Sequence, residues 1–276
     1  MSFRHQPRKA HMIPSTCTLS EKDWKLIQKI LPPEIETGKE TKGGRPHADL
    51  QKIFCGLLFW IRSGCQWDLV PRHFGSHTSL GKYLKKWVSA GFFDQLMEEA
   101  LQLYDETLGI DWSFQSIDGS LKQAPGCSKN TGKNPTDRGR PGIKHIILTD
   151  KNGIPIAVKI IPANESDMHQ IEGTLESIGL PRPKPKEVEQ HLCADKGFDS
   201  AANRQLVEEW GYTSHIIKRG AQVKPIRRYN AKRWVVERTH SWLNQYRGIR
   251  TRRIHRPEVY RAMTFLACAC VILAKL

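Results

Sequence analysis

Acidic residues are scarce in this sequence, paired cysteine motifs are missing, and no apolar run is long enough to cross a bilayer. Each shortage excludes something. The most apolar stretch, residues 265–274, is far shorter than a spanning helix and follows Arg261, so it reads as a buried C-terminal helix. Residues 1–18 carry charges but no apolar segment of the signal-peptide kind and read as a loose basic tail. The seven cysteines, at positions 17, 55, 65, 127, 193, 268 and 270, contain no C-x-x-C pair and are odd in number. That argues against a zinc ribbon and against a disulfide framework, and a reduced, cytoplasmic protein is expected.

What the sequence has in excess is positive charge. Lys and Arg total 43 against 28 Asp and Glu, leaving a formal net charge of +15 and a pI near 9.6. Such a surplus points to a polyanionic partner, and nucleic acid is the commonest. A membrane-surface protein is the rival, but neither end offers a Lys-rich amphipathic helix. A merely soluble basic protein is the plain alternative. With 39% hydrophobic residues across 276, there is enough apolar material for one catalytic domain and a small accessory one.

Periodicity divides the chain. Ser20 with Asp23 resembles a capping box ahead of Trp24, Ile27 and Ile30, and Pro32-Pro33 stops that helix. Residues 37–46 are a polar loop. Leu50, Ile53, Phe54, Leu57, Leu58 and Ile61 recur at helical spacing up to Gly64. Further helices are expected near 78–90, with Lys82, Lys85 and Lys86 largely off the apolar side, and after Gly91. Residues 19–108 thus form a small all-helical domain, and its lysine-bearing helix after a turn suggests a helix-turn-helix-like DNA reader. Any small bundle with surface lysines has the same pattern.

From residue 112 to 275 the pattern is α/β. Strands are expected at 114–117, 143–148, 154–161, 188–193 and 213–217, with Asn152-Gly153 as a hairpin turn. Helices fall between and after them, giving a five-stranded mixed sheet flanked by helices. The segment after Asp118, with Lys122, Lys129, Lys133, Arg138, Arg140 and Lys144, reads as a long basic loop suited to phosphate contact.

Three carboxylates stand out. Asp118 ends the first strand beside Gly119, Asp195 ends the fourth beside Lys196-Gly197, and Glu237 lies on a helix spanning roughly 230–249. On that helix Val235, Thr239, Trp242, Tyr246 and Ile249 form an apolar stripe. Glu237 lies opposite with Arg233, His240 and Asn244. The plain readings are turn aspartates and a solvated Glu237 paired with Arg233. Between residues 218 and 256, however, thirteen residues are basic and Glu237 is the only acid. A lone carboxylate in a strip that attracts phosphate would repel it unless a cation lies between. Oxygen ligands without Cys or His favour Mg²⁺ or Mn²⁺ over zinc, and two such ions about 3.5–4 Å apart suit in-line displacement at phosphorus.

These residues carry a family resemblance. Ser116-Ile117-Asp118-Gly119-Ser120, Ala194-Asp195-Lys196-Gly197-Phe198-Asp199-Ser200 and Arg233-Trp234-Val235-Val236-Glu237-Arg238-Thr239, with Trp242-Leu243-Asn244 and Tyr246-Arg247, resemble the DDE transposases of bacterial insertion sequences, in the subgroup called insertion sequence "five". Gly44-Arg45-Pro46 and residues 60–67 are similar to that subgroup's front region. The resemblance covers about residues 19–275. It implies a ribonuclease-H-like catalytic core with Asp118, Asp195 and Glu237 as ligands of two Mg²⁺ or Mn²⁺ ions, and Arg233 on phosphate near the scissile bond. It also implies that the chain binds terminal inverted repeats and target DNA as a homo-oligomer, on the bacterial nucleoid. Arg238, Arg247, Lys144, Lys82, Lys85 and Lys86 are the further DNA-contact candidates. The superfamily's tyrosine before the arginine and lysine after the glutamate are replaced here by Asn230 and Asn244, so neither role carries over. The alternative is a transposase-derived regulator that binds DNA without cutting it.

Overall fold

The computed structural model describes residues 19–32, 48–216 and 234–276. The basic tail, the 37–46 loop with Gly44-Arg45-Pro46, and Tyr229, Asn230 and Arg233 lie outside them.

Four helices come first: α1 (Glu21–Ile30), α2 (Leu50–Ser63), α3 (His77–Ser89) and α4 (Phe92–Leu108). Their starts are set by local chemistry. Ser20 accepts from the backbone N–H of Asp23 at 3.1 Å, Asp49 from Lys52 at 3.1 Å, and Ser76 from Ser79 at 3.1 Å, each satisfying an otherwise orphaned donor. Gly64 ends α2 in the left-handed region at φ 65°, where a side chain would be strained. It would also strike Arg247, whose Cβ lies 2.7 Å from where a Cβ at 64 would sit. Trp87 of α3 anchors the interior, its ring 6.3, 5.4 and 6.4 Å from those of Phe54, Phe92 and Phe93.

The sheet follows, with β1 (Phe114–Gln123), β2 (Gly132–Lys133), β3 (Pro141–Thr149), β4 (Pro155–Pro162), β5 (Gln190–Ala194) and β6 (Tyr212–Ile216). Short helices α5 (Ile171–Leu175) and α6 (Ala201–Glu209) connect its later strands. The long strands lie in the order β4-β3-β1-β5-β6, antiparallel on the β3 side and parallel on the β5 side. That is the ribonuclease-H-like arrangement. The sixth strand is β2, a two-residue piece paired with the start of β3. The Asn152-Gly153 turn forms as expected. Asp150 organises it, accepting from the N–H groups of Asn152 at 2.9 Å and Ile154 at 2.8 Å.

One expectation needs correction here. The segment after Asp118 is not one long loop, because β1 continues to Gln123 and β3 begins at Pro141. Pairing with β3 from Ser116 to Gln123 carries the strand through its polar residues. Lys122 and Lys144 are therefore strand residues, and both are buried.

The chain closes with α7 (Trp234–Asn244), α8 (Arg247–Arg250) and α9 (Pro257–Leu273). The apolar residues of α9 form the buried C-terminal helix that the sequence suggests, packed on α2, α3, α4 and β4. One continuous apolar core joins the front helices, the sheet and these last helices. None of the six described cysteines is in a disulfide. No helix among the described residues is long and apolar enough to cross a membrane.

Candidate active site

Register decides which side chains meet. Ile117 pairs in parallel with Ala194, so Asp118 and Asp195 are the next residues on adjoining chains. Adjoining strands run about 4.8 Å apart, which makes these two aspartates backbone neighbours although 77 positions separate them. Asp195 also caps the single helical turn Lys196–Phe198, its Oδ1 accepting from the N–H of Lys196 at 2.7 Å.

Side chains alternate across a strand. Asp118 shares a face with Ile147, Ser120 and His145, while Gly119 shares the opposite face with Ile146 and Lys144. The α7 helix covers the Asp118 face. Its inner residues are Val235, Val236, Thr239, His240 and Leu243. Thr239 donates to the Gly153 carbonyl at 2.6 Å and Arg238 to the Asn152 carbonyl at 2.5 Å, which fixes α7 to the β3–β4 turn. His240 then comes to 3.8 Å from Asp118 Oδ2. Glu237 lies three residues before His240 and is exposed to solvent. Asp118 itself keeps 24% of its side-chain surface accessible.

The sequence groups His240 with Glu237 on a polar face, but it is buried. The apolar stripe read along 235–249 presumes one uninterrupted helix. Tyr246 instead takes an extended conformation (φ −81°, ψ 97°) between α7 and α8. That break removes Tyr246 and Ile249 from the stripe, and within α7 the buried side runs through Val236, Thr239, His240 and Leu243 at helical spacing. Burial, reinforced by nearby Lys122, pushes the His240 pKa down to about 3, so the ring is neutral at pH 7. Neither of its ring nitrogens has a hydrogen-bond partner among the described residues.

Lys122 lies farther along the same face. Its ammonium donates to Asn244 Oδ1 at 2.5 Å, and burial beside Arg250 lowers its pKa to about 8. Asn244 is the position where the superfamily carries a lysine; here a lysine reaches it from β1. His145 is fully buried, held through Nε2 to the Tyr260 hydroxyl at 2.8 Å, with its pKa well below the usual value because of burial.

The DNA-contact candidates are scattered in fate. Lys82 and Lys85 are exposed on α3 and Lys86 is half-buried. Arg247 is exposed. Arg238 lies over the rings of Trp234 and Trp242, at 4.4 and 4.8 Å from their centroids. Lys144 does not fit the role: its ammonium is buried, bonded to Asp167 Oδ1 at 2.6 Å and to the Glu165 carbonyl at 2.8 Å. Its charge is committed inside the fold. Sequence reasoning missed Asp167 and His240. The signal for Asp167 was available in Gly119 and Gly197, since a glycine one residue after Asp118 and two after Asp195 marks close approach of another group.

The three acids supply the hard oxygen donors that Mg²⁺ or Mn²⁺ prefers, and two of them stand side by side on the sheet. Among the described residues no group of three or more His, Cys, Asp and Glu side chains is already gathered into a cage. The donor type suits the ions and the strands bring Asp118 and Asp195 together, whereas Glu237 is not gathered with them into one cluster.

Residues 105–273 match the family model described as "Transposase DDE domain". Residues 19–97 match a second model, described as "Putative transposase of IS4/5 family". The chain is 40% identical over 147 residues to a Burkholderia cepacia protein named "Putative transposase for insertion sequence element IS402", covering 51% of this chain and 67% of that one. It is 31% identical over 112 residues to the transposase for IS1106 of Neisseria meningitidis serogroup B, covering 38% of this chain and 36% of the relative. Similarity to solved structures is faint: the pre-cleavage Mos1 transpososome gives a TM-score of 0.29 at 10% identity, covering 86% of this chain and 82% of that one. With the motif aspartates on neighbouring strands and its family model spanning most of the chain, this protein belongs to the DDE-domain transposases.

Proposed function

We propose that this transposase binds the inverted ends of its own insertion sequence and, with divalent ions held by Asp118, Asp195 and Glu237, cuts and joins DNA there. The observation that carries this reading is the pairing of Ile117 with Ala194, which sets Asp118 beside Asp195, combined with the approach of His240 that brings the Glu237 helix to the same strand. Bound Mg²⁺ or Mn²⁺ would supply activation of the attacking oxygen and charge stabilisation of the leaving one. The chain's own residues do the rest. The carboxylates fix where the phosphate must lie, and α7 is held rigid by Thr239 and Arg238. First the oxygen of water attacks phosphorus and the 3′ oxygen leaves as a hydroxyl. That hydroxyl then attacks a phosphodiester of the target, so one P–O bond forms as another breaks. Lys82, Lys85, Lys86 and Arg247, with Arg233 and Arg238, are the proposed phosphate contacts, and the working form on DNA is an oligomer.

The test is a cleavage and strand-transfer assay on linear DNA bearing the element's ends, with and without Mg²⁺. Asp118→Asn, Asp195→Asn and Glu237→Gln should each lose cutting by a factor of a thousand or more, on the order of removing a major transition-state stabiliser, while end binding persists. Unimpaired cutting by any one variant would remove that residue from the mechanism. End binding by the wild type with no cutting in any divalent ion would identify a regulator instead.

A further inference from the structure

The back of the sheet, opposite Asp118, holds a charged pair that the proposed chemistry does not use. Lys144 and Asp167 bond at 2.6 Å, with 9% and 28% of their side chains exposed. The carboxylate of Asp167 reaches under both motifs. A Cβ at Gly119 would lie 3.1 Å from its Oδ1, and one at Gly197 would lie 3.2 Å from its Oδ2. One carboxylate thus occupies the space beside the residue after Asp118 and beside the turn that Asp195 caps. The turn bearing Asp167 (Asp167–His169) is itself tied to the turn Lys196–Phe198 by Asn203, whose amide donates to the carbonyls of Met168 and Phe198, both at 2.7 Å.

We propose that Asp167, held by Lys144, is a positioning residue: its contacts with Gly119 and Gly197 set the spacing of Asp118 and Asp195 so that the two can share divalent ions. The proposal rests on the reading of those aspartates as the metal ligands. The physical reason for such a device is repulsion. Two carboxylates at the ends of neighbouring strands push apart until an ion arrives, and the fold must hold them in place meanwhile. A prop on the opposite face does so without adding a third negative charge to the ion side, because Lys144 neutralises it. Glycine suits both positions, since a Cβ at either would crowd this carboxylate, and at 119 would crowd Ile146 and Lys144 as well.

The test compares Asp167→Asn, Lys144→Met, the double variant and Asp118→Asn, each as full chain bound to end DNA. Free Mn²⁺ is counted by electron paramagnetic resonance during titration, alongside the melting temperature and end-DNA affinity. Removing one partner leaves a buried charge unmatched and can unfold the chain. The double variant removes both charges and avoids that failure. The expected result is a folded double variant with unchanged end binding whose Mn²⁺ half-saturation rises roughly tenfold to a hundredfold, the range for residues that orient metal ligands. A merely structural ion pair would be rescued in the double variant, giving wild-type half-saturation, and that result would overturn the proposal. So would a double variant that fails to fold or to bind ends, which would place the pair in core stability alone. If Asp118→Asn leaves wild-type Mn²⁺ uptake unchanged, the ligand reading itself fails and takes the proposal with it.

Discussion

Among the described residues, the buried side chains between 19 and 108 are aliphatic, aromatic or sulfur-bearing, whereas buried Lys122, Lys144, His145, Asp150, His240 and Arg252 all belong to the sheet and the segments that cover it. The two regions share one apolar core, yet only one accepts the desolvation of charge. Burying an ionisable group is unfavourable unless position matters more than stability. The helices are therefore built to be stable, and the strands around Asp118 are built to hold groups in place.

Substitutions can break that contrast from either side. The largest effect on stability is expected in the helices. Trp87→Ala removes a side chain that is 1% exposed and contacts four aromatic rings, those of Phe54, Tyr83, Phe92 and Phe93, and should cost about 3–5 kcal/mol in urea unfolding. A cost under about 1 kcal/mol would mean that the helices do not depend on this cluster. His240→Leu should do the reverse. Its ring nitrogens are buried and unpartnered among the described residues, so an apolar replacement should leave stability nearly unchanged or raise it. Cleavage should fall roughly tenfold, because the contact that seats α7 on Asp118 is gone, a loss on the scale of other residues that orient ligands. Equal losses of stability and cutting would assign His240 to the core rather than the site.

That histidine also marks where the sequence stops being legible. Features controlled by nearby residues read correctly: the Ser20 cap, the Gly64 stop and the turn at Asn152-Gly153 are all present. The succession of strands and helices along the chain could be read from their apolar runs and turn residues, but not the order of the strands in the sheet. Faces could not be read. Whether Asp118 or Gly119 points toward α7 depends on pairing with residues near 147 and 194, and a shift of one position would exchange them. The sequence groups Lys144, at the start of an expected strand, with the DNA-contact bases; its pairing across from Leu121 and its bond to Asp167 show its charge turned into the fold. Asp167 lies 49 positions from Asp118 and carries no motif of its own.

The pH dependence of folding should sharpen the comparison next. His145 is fully buried with its folded pKa below the unfolded value, chiefly from burial and then from Lys122 and His240. The unfolded chain therefore binds a proton that the native state refuses. This stability is complete above the unfolded pKa of about 6.5 and falls on acidification by about 1.4 kcal/mol per pH unit. His145→Phe should remove about 1 kcal/mol of that loss between pH 6.5 and 5.5, where the unfolded ring passes from half to mostly protonated. The Tyr260 hydroxyl keeps its bond to the Ile249 carbonyl at 2.7 Å, so the variant should still fold. An unchanged slope would show that this ring is protonated in the native state.

The smallest effect belongs to the helical face, where charge stays in water. Lys82 and Lys85 are exposed on α3, so their loss should leave the melting temperature unchanged. If they meet phosphate, each releases about one counterion on binding. The Lys82→Ala, Lys85→Ala double variant should then lower the slope of log affinity against log salt by about 2. The loss should be similar for end DNA and for unrelated duplex, because phosphate contacts carry no sequence information. A loss confined to the element's ends would mean instead that α3 reads bases. An unchanged slope would move the DNA path away from this helix and toward Arg247, which is exposed beside the C-cap of α2.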